Sequence, residues 1–130
     1  MYEFRLDSRS GVPPYLQLVQ QVKQALLLGY LQPGDQLPTV KEVAAGLVIN
    51  PNTVVKAYRQ LEHDGLVVPR PGQGTFIART LHGVEPGTYA ALRRSLERWL
   101  RSAYSAGLDE EAVTALFSIA HQELRAEGVA

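Results

Sequence analysis

The stretch GLVINPNTVVKAY, Gly46 to Tyr58, decides how this chain is read. Asn50, Pro51, Asn52 and Thr53 form a polar, short-armed cluster of the kind that punctuates loops, yet an apolar stripe of Val54, Ala57, Tyr58 and Leu61 follows at helical spacing. Asparagine before proline resolves the conflict. Asn50 can cap a helix with its side-chain oxygen, and Pro51 fits the first helical position because its missing N–H would have no intrahelical partner. The spacing predicts a helix from about Pro51 to His63, stopped by Gly65. Just upstream, Val48 stands in a tight turn where a left-handed residue would cost roughly 1–2 kcal/mol relative to glycine. Gly46 is therefore expected to stop the preceding helix, leaving Val48 at negative φ.

Working backwards, Thr39 and Glu42 in QLPTVKEVAAGL make a capping box that starts a short helix, Val40 to about Ala45. Before it, Pro13 and Pro14 precede Leu16, Val19, Val22 and Leu26 at helical spacing, giving a helix from about Pro14 to Leu28 that Gly29 and the turn QPGD end. Forwards, Leu66–Val68 and Thr75–Ala78 are β-branched or aromatic runs joined by PRPGQG, which reads as a hairpin. Helix, helix, helix, strand, strand is the order of a winged helix-turn-helix.

Beyond residue 79 the pattern changes. The segment TLHGVEPGT reads as a linker over 80–88. Tyr89, Leu92, Leu96, Trp99 and Ala103 then mark a fourth helix closed by Gly107, and Asp109 caps a fifth carrying Val113, Leu116, Phe117, Ala120 and Leu124. Leu108 is placed to staple onto Val113. The fold class expected is mainly α with a small β-hairpin: a winged helix-turn-helix at 1–79, and a two-helix dimerisation module at 89–130. Burying one such apolar side chain contributes roughly 1.5–3 kcal/mol. Two helices alone cannot hide both stripes, whereas a second copy can, in a four-helix arrangement.

Composition limits the functions available. The chain has 130 residues, no cysteine, and 13 basic against 13 acidic residues. Disulfide and thiolate metal chemistry are thereby absent, and any nucleic-acid footprint must be local, since residues 1–80 hold only 8 Lys/Arg against 6 Asp/Glu. The longest apolar run, Ala25 to Leu28, cannot span a membrane, and MYEFRLDSRS lacks a signal-peptide layout, so a cytoplasmic protein is expected. His63, His82 and His121 are scattered, with no metal-ligand spacing, and no catalytic constellation emerges. Neither enzyme activity, a metal nor a cofactor is expected.

Three motifs in order, PPYLQLVQQVKQALLLGYLQPGDQLPTVKEVA, NPNTVVKAYRQLEHDGLV and RPGQGTFI, resemble the winged helix-turn-helix of GntR-family bacterial transcription regulators over about residues 12–78. The two short helices that follow, together with NPNTV, resemble the YtrA subfamily. That resemblance implies a homodimeric, sequence-specific DNA-binding regulator, a repressor acting on a near-palindromic operator, with a transporter operon as the subfamily's type of target. It also implies a wing, Arg70, Gly72, Gln73 and Gly74, that reaches the minor groove.

The residues of the third helix agree. With the apolar stripe inward, Asn52, Lys56, Arg59 and Gln60 lie on the other face, and Asn50 and Thr53 at its N-terminal mouth. A helix enters the major groove with its N-terminal residues at base edges, where asparagine pairs with adenine and threonine meets a base or a thymine methyl. Capping alone accounts for Asn50 and Pro51 but does not need Asn52 and Thr53. Lys41 stands where the family usually has an arginine, so a phosphate contact is expected there, and Val55 replaces a basic residue common in relatives. A small-molecule effector is left open, and a winged-helix module binding protein in place of DNA is the alternative, favoured by the near-zero charge.

Overall fold

A computed structural model describes residues 2–81 and 85–128. His82, the one histidine expected within the linker, lies outside them. The elements follow in the order α1 (Pro14–Leu27), α2 (Val40–Leu47), α3 (Pro51–His63), β1 (Val67–Arg70), β2 (Gly74–Ile77), α4 (Pro86–Ser105) and α5 (Glu110–Ala126). The chain divides into two compact units, Met1–Pro86 and Gly87–Ala130. Helix α4 begins inside the stretch read as a linker, with proline again at a helix start.

The local chemistry of the helix starts is as the sequence requires. Glu42 N–H donates to Thr39 Oγ1 (3.1 Å) while Thr39 N–H donates to Glu42 Oε1 (3.2 Å), completing the capping box of α2. Asn50 Oδ1 accepts from the N–H of Asn52 at 2.8 Å, and Asp109 Oδ1 accepts from Ala112 at 2.8 Å. On α3, Val54, Ala57, Tyr58 and Leu61 are all buried. On α1 the buried set is Leu18, Val19, Val22, Ala25 and Leu26, so Val19, Val22 and Leu26 of the expected stripe are buried, whereas Leu16 is only half-buried. These faces meet Phe4, Leu31, Leu37, Leu66 and Ile77 in one core.

The turn between α2 and α3 differs from expectation. Helix α2 runs through Gly46 to Leu47, and Val48 adopts a left-handed conformation, φ 55° and ψ 55°. Gly46 does not stop the helix. The physical reason lies on either side: Leu47 and Ile49 both pack against the core, and Ile49 N–H donates to the Ala44 carbonyl at 3.1 Å. Reversing the chain over so short a span, with both neighbours turned inward, requires the left-handed residue between them. The side chain of Val48 is 88% exposed, so its own burial does not offset the strain.

The strands also reach closer to the turn than read. β1 and β2 pair antiparallel, Val67 with Ile77, Val68 with Phe76, Pro69 with Thr75 and Arg70 with Gly74. Pro69 fits because β1 is an edge; the opposite side of β2 is taken by the segment before α2, with Leu37 N–H donating to Thr75 (2.9 Å) and Ile77 N–H to Asp35 (2.8 Å). The turn closes at Gln73, whose N–H donates to the Arg70 carbonyl at 2.9 Å.

An extended arm at the N-terminus completes this unit and was missing from the sequence reading. Arg5 N–H donates to Gln21 Oε1 (2.9 Å) and the Gln21 amide donates back to the Arg5 carbonyl. One turn earlier, Asp7 N–H donates to Gln17 Oε1 (2.9 Å), and Gln17 Nε2 returns a bond to the Asp7 carbonyl (3.1 Å). Two glutamines thus play the part of a neighbouring strand. The alternation Tyr2, Phe4, Leu6 was the available signal, since all three pack on the core side.

Candidate nucleic-acid interface

Helix α3 presents one face to its own core and the other to solvent. On the solvent face, Asn52, Val55, Lys56, Arg59, Gln60 and His63 line a shallow groove that contains no carboxylate. Asn52, Lys56 and Arg59 are exposed, Thr53 is half-buried, and Asn50 is exposed but already engaged as the cap. Lys41 is exposed in the first turn of α2. In the wing, Arg70, Gly72 and Gln73 are exposed and Gly74 is half-buried. All of these belong to one compact unit. Among the described residues, none of Lys41, Lys56, Arg59 and Arg70 is paired with an acidic side chain.

What holds this surface in shape is less visible in the sequence. The Tyr58 hydroxyl donates to the Pro38 carbonyl, joining the buried side of α3 to the residue before the α2 cap. Burial first, and the Glu42 carboxylate second, push the Tyr58 phenol well above its ordinary range, so it is a neutral donor across ordinary pH. Gln36 Nε2 donates to the Gln73 carbonyl at 2.9 Å, tying the wing turn to the strand-like segment before α2. At the far end of α3, Asp64 pairs with Lys23 of α1 at 3.3 Å and accepts from Gln60 at 3.1 Å.

The second unit holds two helices, α4 and α5, joined by a short turn. Gly107, at φ 100°, ends α4, and Leu108 N–H donates to the Ala103 carbonyl at 3.1 Å. Ala103 and Val113 are buried within the unit and Leu108 is half-buried, so these positions are used inside the hairpin itself. Tyr89 is half-buried; Ala120 is exposed, and Leu92, Leu96, Trp99, Leu116, Phe117 and Leu124 remain exposed, Leu92 by 60% and Phe117 by 54%. Tyr104 and Ile119 belong with them although the sequence stripes omitted both. Among the described residues no cluster of ligating side chains is present, and no helix is long and apolar enough to cross a membrane.

Three helices and a two-stranded wing, with the polar face of the third helix open, define a winged helix-turn-helix domain of the regulatory class. The model of bacterial regulatory proteins of the gntR family matches residues 14–77. The HTH-type transcriptional repressor YtrA of Bacillus subtilis (strain 168) is 37% identical over 108 residues, covering 82% of this chain and 83% of its own length. This chain belongs to the gntR family. Among solved structures, a transcriptional antiterminator from Listeria monocytogenes EGD-e is 31% identical with a TM-score of 0.59, covering 95% of this chain and 92% of its own. YtrA from Sulfolobus acidocaldarius, a GntR-family transcription factor, is 29% identical with a TM-score of 0.54, covering 77% and 99%. These relatives bear the names of regulators of transcription, and they match across both units of the chain.

Proposed function

We propose that the protein is a homodimeric, sequence-specific DNA-binding transcription regulator, a repressor acting on a near-palindromic operator. The observation that carries this reading is the carboxylate-free groove on the outer face of α3, with Asn52 near its mouth and Lys56 and Arg59 along its length. A major groove accepts such a helix; short polar groups at its N-terminal end approach base edges, and the cations meet phosphates on either side. Similarity to a named repressor over most of both chains supports the same reading. Lys41 and the wing residues Arg70 and Gln73 extend the contact to adjacent backbone and minor groove.

Dimer formation is the companion proposal, supported by the exposed apolar residues of α4 and α5. Their polar neighbours carry the Arg93–Glu97 pair at 3.0 Å on the same helix, so the unit has a solvated side and an unsatisfied one. Two-fold symmetry gives half-sites spaced by about one helical turn or a multiple of it.

Selection of bound sites from random duplexes tests both parts. Wild type is expected to enrich a symmetric motif, and Asn52→Ala to relax one base position per half-site at a cost of about 1–3 kcal/mol. Absence of any enriched motif would sink the regulator reading. Light scattering that finds a monomer at micromolar concentration would sink the dimer.

A further inference from the structure

Two cations of the proposed interface lie over aromatic rings. The Lys56 ammonium is 4.0 Å from the centroid of the Tyr15 ring, and the Arg70 guanidinium is 4.4 Å from the centroid of Phe76. Tyr15 comes from the first turn of α1 and Phe76 from the middle of β2, so two separate elements use the same device. Four other cations among the described residues are restrained differently. Arg9, Lys23, Arg93 and Arg101 each lie beside a carboxylate.

The difference matters for a phosphate. A carboxylate restrains a cation by cancelling its charge, whereas a ring face attracts it through a quadrupole and leaves the full charge available. The flexible stem is also ordered beforehand, which reduces the conformational entropy lost when DNA binds. We infer that Tyr15 and Phe76 are positioning residues for DNA binding, whose ring faces hold Lys56 and Arg70 ready as phosphate contacts. Base reading then falls to the shorter Asn52 and Thr53. This inference rests on the DNA-binding reading above.

The test uses full-length protein and duplexes carrying the selected site. Lys56→Met and Arg70→Met are each expected to make the slope of log affinity against log salt shallower by about 1.8, that is about 0.9 for each protomer of the dimer, without altering the selected motif. Tyr15→Leu and Phe76→Leu are expected to weaken binding about two- to fivefold per half-site on every sequence. Tyr15→Phe and Phe76→Tyr, which keep the ring face, stay at wild-type affinity. Tyr15→Leu should add nothing in the Lys56→Met background.

An equal loss in both backgrounds, or a changed base preference in Lys56→Met with an unchanged salt slope, would overturn the inference while leaving the regulator reading intact. Wild type that binds no duplex would remove both. A direct readout covers the case of a leucine variant that does not fold: in wild type without DNA, the Lys56 ε-methylene protons should resonate upfield from ring current, and unshifted protons would overturn the assignment for Tyr15.

Discussion

The side-chain amide of Gln36 donates to the backbone carbonyl of Gln73, 2.9 Å away, and so links the segment before α2 to the turn of the wing. The adjacent Gly74 makes that link possible. A Cβ at position 74 would lie 2.6 Å from Gln36 Nε2, and φ there is 128°.

Gly74→Ala therefore meets two obstacles, a backbone conformation rare for an L-residue and the displacement of the Gln36 amide. A loss of about 1–3 kcal/mol in urea unfolding is expected, together with weaker DNA binding. Gln36→Ala removes the steric part alone, so the double variant should lose less than the two single losses combined. Unchanged stability in Gly74→Ala would contradict the arrangement of the wing turn.

Tyr58→Phe keeps the ring in the core but leaves the Pro38 carbonyl, on a buried residue, without its donor. The expected cost is about 1–3 kcal/mol, the penalty of a buried polar group left unsatisfied. Equilibrium denaturation measures it, and a neutral substitution would mean that water replaces the phenol.

At Val48 and Gly46, opposite substitutions in one turn carry the same prediction. Val48→Gly relieves the left-handed strain and should stabilise the domain by about 1 kcal/mol, less than the full strain because glycine also loosens the unfolded chain. Gly46 is inside α2, and a Cβ built there meets nothing within 4 Å, so Gly46→Ala should add roughly 0.5–1 kcal/mol. Thermal melts of both variants check this, and destabilisation by Val48→Gly would show that the side chain has a contact in solution.

Asp64 supplies a pH dependence. Desolvation on its own would push its carboxyl up, but hydrogen bonds from Lys23 and Gln60, and the charges of Lys23 and His63, bring it below its ordinary value of 3.8. A carboxyl lowered in the folded state adds stability that is fully present above that ordinary value and is lost as pH falls through the folded one. Asp64→Asn should thus be less stable than wild type at neutral pH, with the urea midpoints converging in acid. A gap that persists unchanged at low pH would assign the effect to the helix end and not to the charge.

How much of this was legible depends on the range of each interaction. The caps Thr39, Asn50 and Asp109 act on amides two or three residues away, so short-range pattern contains both partners. The inward stripe of α3 follows from one helix period and was read correctly. Val48 departs from the local steric rule because the core contacts of Leu47 and Ile49, which lie outside that rule, override it. The wing turn was read as longer than it is because Pro69 looks like a loop residue until the edge position of β1 is known. The ring beneath Lys56 comes from another helix, and no spacing rule connects Tyr15 to it.

The arm along α1 has a consequence of a different kind. The side chains of Gln17 and Gln21 bind its peptide groups, through bonds at Arg5 and Asp7 that any residue except proline would supply, while the Tyr2 hydroxyl donates to the Gln21 backbone carbonyl at 3.3 Å. A lock of that design is indifferent to spelling at its outward positions: Glu3 and Arg5, both exposed, are free to drift in evolution while the arm keeps its register. The place to look for its signature in relatives is the glutamine pair on the helix, not the arm.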